Sequence, residues 1–342
     1  MENILIQGSA GESSIVFNDS FRNFRNYIPS TKKAVVITDA TISKLYRNVF
    51  EGIPVIEIGE GEKNKTFQTL EKIFGEFLKL NVDRSWFIIG AGGELFAIYR
   101  IAASIYMRGL PFGFVSTTLL SQVDASVGGK NGVNFGEFKN MVGVFAQPSF
   151  VICDPEILET LSEREYISGF AEIIKAAAIR NIDLLDYLEQ HITPALNKDR
   201  VVLGKLIYES VKIKANVVQQ DEKETGERRI LNFGHTFAHS IELYMGLTHG
   251  EAVAIGMVLA SRASVKMELL KPDEAERLKK LIENFGLPTR FNLDKSLVYS
   301  TLLKDKKREG DSINLVLLEG MGSAVVRKVS LNQMEEIVND LC

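Results

Sequence analysis

Cysteine, histidine and long apolar runs are scarce in this sequence of 342 residues. Only two cysteines, Cys153 and Cys342, are present and they form no CxxC pair, so a disulfide framework is excluded and a reducing compartment is expected. No apolar run approaches the roughly 20 residues that a transmembrane helix requires. The first residues do not follow the pattern of a signal peptide. We therefore expect a cytoplasmic protein that does not associate with membranes.

An excess of positive charge is also absent, because 40 Lys and Arg residues stand against 44 Asp and Glu residues. Since binding to nucleic-acid phosphates requires a basic surface, no nucleic-acid partner is expected. The composition is 45% hydrophobic and 25% charged, which is typical of a globular chain and excludes a disordered or fibrous one. The length favours two domains over one.

Short apolar segments alternate with helical patterns in the first half of the sequence. The apolar segments are KKAVVITDA at 32–40, PVIEIGEGE at 54–62, SWFIIGAGG at 85–93, PFGFVSTT at 111–118 and PSFVICDPE at 148–156. Between them, the apolar positions 70, 73, 74, 77 and 78 form one helical stripe. Wholly apolar strands separated by helices predict a parallel sheet that is covered on both faces, with ligands beyond the carboxyl ends of its strands.

The hydrophobic pattern of the sequence changes after about Pro155. Helical periodicity then dominates from Glu163 to Phe285. A β-hairpin is predicted at 312–329, with its turn at 319–322. We therefore predict an α/β domain over residues 1–155 and a mainly helical domain over residues 156–342. Two domains that face each other imply a cleft, which is the usual place for a small-molecule substrate.

Three of the four histidines lie close together in the second half. His235 and His239 are four residues apart, so a helix places both on one face, and His249 follows. Imidazoles at this spacing, with a carboxylate from elsewhere, suit Zn²⁺ with one open coordination position. The candidate carboxylates are Glu251 and Glu172, of which the second interrupts an apolar helix face. The alternative is that these histidines are core or helix-end residues without a metal.

Basic residues on this acidic chain are interleaved with glycine, asparagine and apolar neighbours. The set, with its associated polar residues, is Asp124, Lys130, Lys139, Asn140, Lys175, Lys214, Arg228, Asn232, Lys306 and Lys307. Lys and Arg in such surroundings neutralise phosphate or carboxylate groups, so the pattern predicts a small, multiply anionic substrate. A single charged run, such as residues 221–229, is more often a solvated loop.

A glycine-rich turn at 90–93 follows an apolar strand and precedes a helix. Backbone amides at such a turn can hold a pyrophosphate, although a tight turn alone also explains the glycines. Glu94, at the start of the helix, would repel a phosphate.

Long motifs distributed along the sequence match one known family. They are GEKNK at 61–65, YMRG at 106–109, TTLLSQVDASVGGKNGVNF at 117–135, KNMVG at 139–143, SGFAEIIK at 168–175, KANVV at 214–218, DEKETGERRILNFGHTFAHSIE at 221–242, HGEAVAIGMV at 249–258 and LLKDKK at 302–307. In these motifs the chain resembles the 3-dehydroquinate synthases, which are sugar-phosphate cyclases, along nearly its whole length. The resemblance implies a Rossmann-like α/β domain followed by a mainly α-helical metal-binding domain.

The resemblance also implies the ligands of a metal and the contacts of a substrate. The family's ligands for the metal, Zn²⁺ or Co²⁺, correspond to Glu172, His235 and His249. By this resemblance Glu251 is not a ligand, and His239 becomes a substrate-facing residue. The catalytic and substrate-binding positions fall on Asp124, Lys130, Asn140, Lys175, Lys214, Arg228, Asn232, His239 and one of Lys306 and Lys307. Arg108 matches an arginine that reaches a substrate phosphate across the interface of a homodimer.

The contacts to NAD that the resemblance implies all lie before residue 161. They fall on Asp39, Glu62, Lys65, Gly92, Gly93, Thr117, Thr118, Lys139 and Thr160. The implied reaction converts the seven-carbon keto-acid phosphate DAHP to 3-dehydroquinate and inorganic phosphate. It proceeds by transient oxidation by NAD, elimination of phosphate, return of the hydride and aldol closure. The implied enzyme is thus a lyase of the shikimate pathway and of aromatic amino acid biosynthesis.

The nucleotide turn departs from the family pattern. The Asp expected beside the nicotinamide is Ala97, the Gly before it is Phe96, and a helix Gly is Arg100. Phe and Arg are expected to add bulk where the backbone approaches the cofactor. Three accounts follow: NAD binds despite a shifted loop, the chain is a paralogue that binds metal and an anionic sugar phosphate with weakened or lost NAD use, or it is a related cyclase.

Overall fold

A computed structural model describes residues 2–93, 95–136, 138–238, 241, 246–290, 295, 299 and 308–341 of the protein. The chain divides into two compact units, Met1–Leu161 and Ser162–Cys342. The first unit ends just after the short 3₁₀ helix Pro155–Thr160, whereas the sequence placed the boundary at about residue 155. Within the described residues, no helix combines the length and apolarity needed to span a bilayer.

The first unit is built on a seven-stranded sheet. Its strands are β1 (Ile4–Gly8), β2 (Gly11–Val16), β3 (Lys33–Asp39), β4 (Val55–Ile58), β5 (Trp86–Gly92), β6 (Phe112–Ser116) and β9 (Phe150–Ile152), and a separate hairpin is formed by β7 (Val133–Phe135) and β8 (Phe138–Val142). The order across the sheet is β1-β2-β9-β6-β5-β3-β4. All its neighbouring pairs are parallel except β1 with β2.

The parallel sheet predicted from five apolar segments is confirmed, since those segments form β3, β4, β5, β6 and β9. The antiparallel edge formed by β1 and β2 was not predicted, because β1 is mostly exposed and carries no continuous apolar run. Burial on both faces explains why β5 and β6, in contrast, are apolar apart from Ser116 and are buried at every position.

The helices of the first unit are α1 (Ala40–Leu45), α2 (Phe67–Lys79) and α3 (Phe96–Ile105), accompanied by short 3₁₀ helices at Phe21–Tyr27, Glu62–Asn64 and Tyr106–Arg108 and a π-helical turn at Ser121–Ala125. Helix α2 begins at its N-cap Thr66, whose hydroxyl accepts the Thr69 N–H at 3.3 Å. The predicted stripe of α2 is confirmed at Leu70, Ile73 and Phe77, which are buried. It is wrong at Leu78, which is 69% exposed.

The strand order reverses beside β3. From β3 the chain first forms β4 on one side and then returns to form β5 on the other side. In parallel α/β sheets, such a reversal leaves a crevice at the carboxyl ends of the two flanking strands, and ligands bind there. Asp39 ends β3 and Gly92 ends β5, so both residues flank this crevice.

The second unit is mainly helical. Its helices are α4 (Glu163–Arg180), α5 (Ile182–Gln190), α6 (Ile192–Leu196), α7 (Arg200–Gln220), α8 (His249–Lys266), α9 (Pro272–Asn284) and α10 (Leu331–Leu341), and a 3₁₀ helix spans Glu227–Asn232. A small antiparallel sheet contains β10 (Arg308–Glu309), β11 (Ser312–Gly320) and β12 (Ser323–Ser330). The predicted hairpin at 312–329 is confirmed by β11 and β12.

Glycines allow α8 to approach its neighbours closely. A Cβ atom at Gly250 would lie 1.9 Å from the carbonyl oxygen of Ser168 on α4. A Cβ atom at Gly256 would lie 2.1 Å from the carbonyl oxygen of Gly234. The Gly250 N–H also donates to the Ser168 hydroxyl at 3.1 Å. The first turn of α8 is thereby held against α4, which brings His249 towards the side of α4 that carries Glu172.

Candidate active site

Helix α4 buries two oppositely charged side chains in the second unit. Glu172 is 2% exposed and Lys175 is 3% exposed, and one helical turn separates them. The Lys175 ammonium forms an ion pair with Oε2 of Glu172. Because an unpaired buried charge is costly, this pairing stabilises both ionised side chains in an otherwise apolar helix.

The tautomer of His235 follows from its local hydrogen bond. His235 comes after Gly234, whose φ of +79° and crowded Cβ position, 2.8 Å from the Met257 nitrogen, require glycine. Nδ1 of His235 lies 3.2 Å from the carbonyl oxygen of Phe233, which can only accept a hydrogen bond. Nδ1 therefore carries the proton, and the lone pair on Nε2 is available to a metal.

His249 completes a compact cluster with Glu172 and His235. Nε2 of His249 lies 3.1 Å and Nε2 of His235 lies 3.6 Å from Oε1 of Glu172. One ligand atom from each of the three residues lies within 4.8 Å of the other two. Two imidazoles and a carboxylate at this spacing can bind Zn²⁺ or a similar divalent ion and leave a coordination position open.

Glu251, the other carboxylate considered from the sequence, has a different role. It forms a capping box at the start of α8, in which its Oε2 accepts the Thr248 N–H at 2.8 Å. Its two oxygens also accept hydrogen bonds from Arg164 at 2.9 and 2.7 Å. The Thr-x-x-Glu spacing at 248–251 is the sequence signal for this box, and sequence reasoning about metal ligands missed it.

The electrostatics of the cluster keep Glu172 ionised. Burial alone would raise the pKa of Glu172, but the charge of Lys175 and the hydrogen bond with His249 outweigh it and lower the pKa to about 2. Metal binding requires an ionised carboxylate. Glu172 is therefore already in the protonation state that a metal ligand needs.

A second group of predicted residues surrounds the loop after α7. Arg228 is 4% exposed, and its side chain donates to the carbonyl of Glu222. Asn232 donates to Oε1 of Glu224. Asp221 organises the loop by accepting the N–H groups of Thr225, Gly226 and Arg228 at 2.9, 2.7 and 3.1 Å. Sequence reasoning missed Asp221. Lys214 lies half-buried on α7.

In the first unit, Asp39 and the glycine turn lie at the crevice of the sheet. Oδ1 of Asp39 caps α1 by accepting the Ile42 N–H at 2.8 Å, and burial raises the pKa of Asp39. The Thr117 N–H donates to the Gly92 carbonyl at 2.8 Å. A Cβ atom at Gly93 would lie 2.5 Å from Cγ2 of Thr118. An acidic residue at the end of one strand and a glycine turn at the end of the next are suited to a dinucleotide.

Other predicted nucleotide contacts form a separate cluster on the β7–β8 side. Lys65 is 9% exposed and forms an ion pair with Glu62 at 3.6 Å. Asn134 donates to Glu62 at 3.1 Å, and Oδ1 of Asn134 accepts the Asn140 N–H at 3.0 Å. Glu62, Lys65 and Asn140 are thus linked through a residue that sequence reasoning did not select. Lys139 lies half-buried on β8.

The remaining predicted residues of the first unit lie apart in separate elements. Oγ1 of Thr160 lies 2.6 Å from the Tyr46 hydroxyl. Arg108 is exposed and has a φ of +69°. Asp124 lies half-buried in the π-helical turn, and Lys130 follows in the same loop. His239, Lys306 and Lys307, together with Glu94, lie outside the described residues.

Helix α3 corrects one expectation about the nucleotide turn. Phe96 and Arg100, expected to add bulk at the turn, are each 1% exposed and point into the first unit. The ring centroid of Phe96 lies 4.2 Å from that of Phe114. Tyr99 fills the space beneath the turn, since a Cβ atom at Gly92 would lie 2.9 Å from its hydroxyl oxygen. The large side chains therefore fill the interior, and packing against Tyr99 itself requires glycine at position 92.

Two solved structures with the same architecture are sugar-phosphate cyclases. The 2-epi-5-epi-valiolone synthase from Streptomyces hygroscopicus subsp. jinggangensis 5008, solved with NAD⁺ and Zn²⁺ bound, is 26% identical with a TM-score of 0.87, covering 100% of this chain and 99% of that one. A 2-deoxy-scyllo-inosose synthase complexed with carbaglucose-6-phosphate, NAD⁺ and Co²⁺ is 24% identical with a TM-score of 0.90, covering 100% of both chains. The α/β unit followed by a helical unit is thus an architecture that the chain shares with the sugar-phosphate cyclases.

Sequence comparison identifies the family within this class. The N-terminal domain of 3-dehydroquinate synthase matches residues 55–168, and its C-terminal domain matches residues 169–308. The 3-dehydroquinate synthase of Halorhodospira halophila is 42% identical over 303 residues, which cover 86% of each chain. The chain belongs to the 3-dehydroquinate synthase family, whose enzymes are lyases. The fold class expected from the resemblance is confirmed.

Proposed function

We propose that this protein is a 3-dehydroquinate synthase, which converts DAHP to 3-dehydroquinate and inorganic phosphate in the shikimate pathway. The observation that carries the proposal is the cluster of Glu172, His235 and His249 in a chain of this family. These residues would hold Zn²⁺ or Co²⁺, which as a Lewis acid polarises a substrate hydroxyl. Lys175, paired with Glu172, keeps that carboxylate ionised in its buried position.

The first unit contains the residues that are assigned to NAD binding. When bound, NAD would supply reversible hydride transfer, in which the hydride is taken up and returned within one turnover. Asp39 at the end of β3 is suited to accept hydrogen bonds from a ribose. Gly92 ends β5 and Gly93 follows it, at the edge of the sheet where a pyrophosphate would bind. The other positions assigned to NAD are Glu62, Lys65, Thr117, Thr118, Lys139 and Thr160. The architecture of the crevice supports this assignment. Ala97 departs from it, because the family pattern has an aspartate beside the nicotinamide at this position.

Cationic and amide side chains, together with one carboxylate and one imidazole, are assigned to the substrate. The set consists of Arg108, Asp124, Lys130, Asn140, Lys175, Lys214, Arg228, Asn232, His239 and Lys306. Guanidinium and ammonium groups neutralise the phosphate and carboxylate of an acidic sugar phosphate, and holding both ends fixes the reacting carbons. The burial of Arg228 favours this use, because a desolvated guanidinium binds an oxyanion more strongly than an exposed one does.

One experiment tests the proposal directly. The zinc-loaded protein is titrated with NAD by calorimetry, and DAHP is then added while release of phosphate and formation of 3-dehydroquinate are followed. Binding of NAD and release of phosphate, with NAD regenerated, are the expected results. Failure to release phosphate from DAHP in the presence of zinc and NAD would contradict the proposal.

A second candidate function is favoured by the residues of α3. Ala97 replaces the aspartate of the family pattern, and Tyr99 packs beneath Gly92. A chain altered in this way would be a paralogue that binds metal and an anionic sugar phosphate but uses NAD weakly or not at all. Zinc binding without NAD binding would identify it. Turnover of another sugar phosphate in place of DAHP would identify a related cyclase.

We also propose that the protein is a cytoplasmic homodimer in which Arg108 serves the partner's site. The exposure of Arg108 and of its neighbours Ile105 and Met107, which are 44% and 43% exposed, supports this arrangement. Mixing inactive Arg108→Ala protein with inactive Lys214→Ala protein should restore about a quarter of the activity, as expected when subunits exchange at random in a symmetric dimer. Absence of any recovery after subunit exchange would contradict shared sites.

A further inference from the structure

Helix α3 buries an arginine whose guanidinium is bound to a neighbouring loop. Arg100 is 1% exposed. Its Nη1 donates to the carbonyl of Lys130 at 2.7 Å, and its Nη2 donates to the carbonyl of Ser126 at 3.0 Å. The guanidinium carbon lies 5.2 Å from the centroid of the Phe114 ring, which adds a cation–π contact. The two terminal nitrogens thus hold two points of one chain segment.

The segment between these two carbonyls contains two adjacent glycines, and its own backbone hydrogen bonds include Lys130 N–H to the Gly128 carbonyl at 2.8 Å and Ala146 N–H to the Gly129 carbonyl at 3.1 Å. Gly128 and Gly129 have φ values of +106° and +72°, which are favourable for glycine and strained for other residues. Because glycine has many accessible conformations, a loop with two adjacent glycines loses much entropy when it is ordered. The hydrogen bonds from Arg100, one on each side of the glycine pair, offset part of this entropy cost and restrain the loop.

Only arginine can supply this restraint from position 100. A planar guanidinium presents several N–H donors in a fixed geometry, so it can serve two carbonyls at once, and charged donors make stronger hydrogen bonds than neutral ones. A lysine ammonium is a single compact donor on a flexible chain. The glycine that the family pattern has at this position could supply no side-chain donor.

We propose that Arg100 is a positioning residue for the substrate site, which fixes the loop carrying Asp124 and Lys130. The proposal rests on the assignment of these two residues to the substrate under the proposed function. In this chain, the substitution that removes a family glycine from α3 introduces a buried cation that orders the neighbouring loop. The specific consequence is that loss of Arg100 weakens substrate binding without removing the metal or NAD.

Hydrogen exchange tests the restraint independently of activity. In Arg100→Lys protein, amides of residues 126–131 should exchange about tenfold faster than in the wild type, because one charged hydrogen bond is lost. Amides of β3 and of α4 should be unchanged. Arg47→Lys, at an exposed position of the same unit, is the matched control. Wild-type exchange at 126–131 in folded Arg100→Lys and Arg100→Ala proteins would overturn the proposal.

Kinetics and chemical rescue test the consequence for the substrate. Arg100→Lys should raise the KM for DAHP about tenfold, with kcat, bound zinc and NAD affinity changed less than about threefold. Guanidinium ion at tens of millimolar should lower the KM of Arg100→Ala protein and slow its loop exchange, with no effect on Arg47→Ala protein. An unchanged KM, or no rescue in folded Arg100→Ala protein, would contradict the positioning role.

The two tests separate this proposal from the proposed function. If the wild type does not turn over DAHP, the proposed function fails, and hydrogen exchange still decides whether Arg100 holds the loop. If the wild type is active and exchange at 126–131 does not respond to Arg100, the positioning role alone fails. If the Arg100→Ala protein does not fold, hydrogen exchange and KM are both measured on the Arg100→Lys protein.

Discussion

Two glutamates of the second unit differ in role because their hydrogen-bond partners differ. Glu172 is paired with Lys175 and lies against two imidazoles. Glu251 is two residues from His249 in sequence, yet its carboxylate is used by Arg164 and by the cap of α8. Sequence proximity to His249 therefore does not place a carboxylate in the cluster, and the tertiary contacts of each carboxylate decide.

Glu172→Gln protein should lose bound zinc, whereas Glu251→Gln protein should keep it. Changes to residues that only support metal ligands already reduce affinity about tenfold to a hundredfold, so loss of a charged ligand should reduce it by more than about a hundredfold. Glu251→Gln should instead cost at most about 1 kcal/mol of unfolding free energy through loss of the partly exposed ion pair with Arg164, because Gln also closes a capping box. Metal analysis and urea unfolding measure both effects. Full zinc content in Glu172→Gln protein would contradict the assignment.

Asp221 gives the loop after α7 a dependence on pH. Burial would raise the pKa of Asp221, but hydrogen bonds from the N–H groups of Gly226, Thr225 and Arg228 outweigh it, so the pKa lies below its ordinary 3.8. A carboxylate whose pKa is lower in the folded state contributes stability above its unfolded pKa, and this contribution is lost as pH falls through the folded value.

Asp221→Asn protein should therefore unfold at lower urea concentration than the wild type near neutral pH. The difference between the two proteins should begin to shrink below about pH 4, the pKa of the unfolded-state carboxyl, and should disappear as the pH falls through the lower folded-state pKa. Urea unfolding over this pH range measures the difference. Asp183→Asn, which changes an exposed acidic residue in the first turn of α5, is the control. A difference that does not depend on pH would contradict the role of the charge.

At the scale of elements, α8 can approach α4 closely because position 250 is a glycine, which has no side chain. Gly250→Ala should lower the free energy of unfolding by about 1–3 kcal/mol, since overpacking forces the backbone apart. It should also weaken zinc binding, because His249 precedes the altered position. Gly75→Ala on α2 is the control, since no atom lies within 4 Å of its Cβ position. That variant should be stabilised by about 0.4–1 kcal/mol. Equal stability of Gly250→Ala and wild type would contradict the packing argument.

Sequence patterns predict secondary-structure elements well where a strand is buried along its length. They do not predict which tertiary contacts a polar or charged side chain makes. Apolar runs identify β5, β6 and β9, which are buried at every position, and they also identify β3 and β4, which are partly exposed. They do not identify β1, which pairs at an edge through its backbone. Histidine spacing predicts a metal site, but it does not choose between Glu172 and Glu251, since the distinction depends on tertiary contacts. Likewise, composition cannot reveal that Arg100 turns inward to two carbonyls.

At the scale of the whole molecule, the two proposed ligands belong to different units. Every residue assigned to NAD lies in Met1–Leu161, and every residue assigned to the metal lies in Ser162–Cys342. The residues assigned to the substrate are shared between the two units. Each ligand should therefore stabilise its own unit by mass action, to an extent set by its concentration relative to its dissociation constant.

NAD should bind with the same affinity, within about twofold, to the zinc-loaded protein and to protein stripped of metal by a chelator. Linkage between two ligands requires that one changes the residues or the conformation used by the other, and the two assigned sets share no residue. Calorimetric titration of both forms measures the affinity, and Asp39→Asn protein is the control that should lose NAD binding and keep zinc. Binding of NAD only to the zinc-loaded form would show that the metal organises the nucleotide site, and independence would then have to be abandoned.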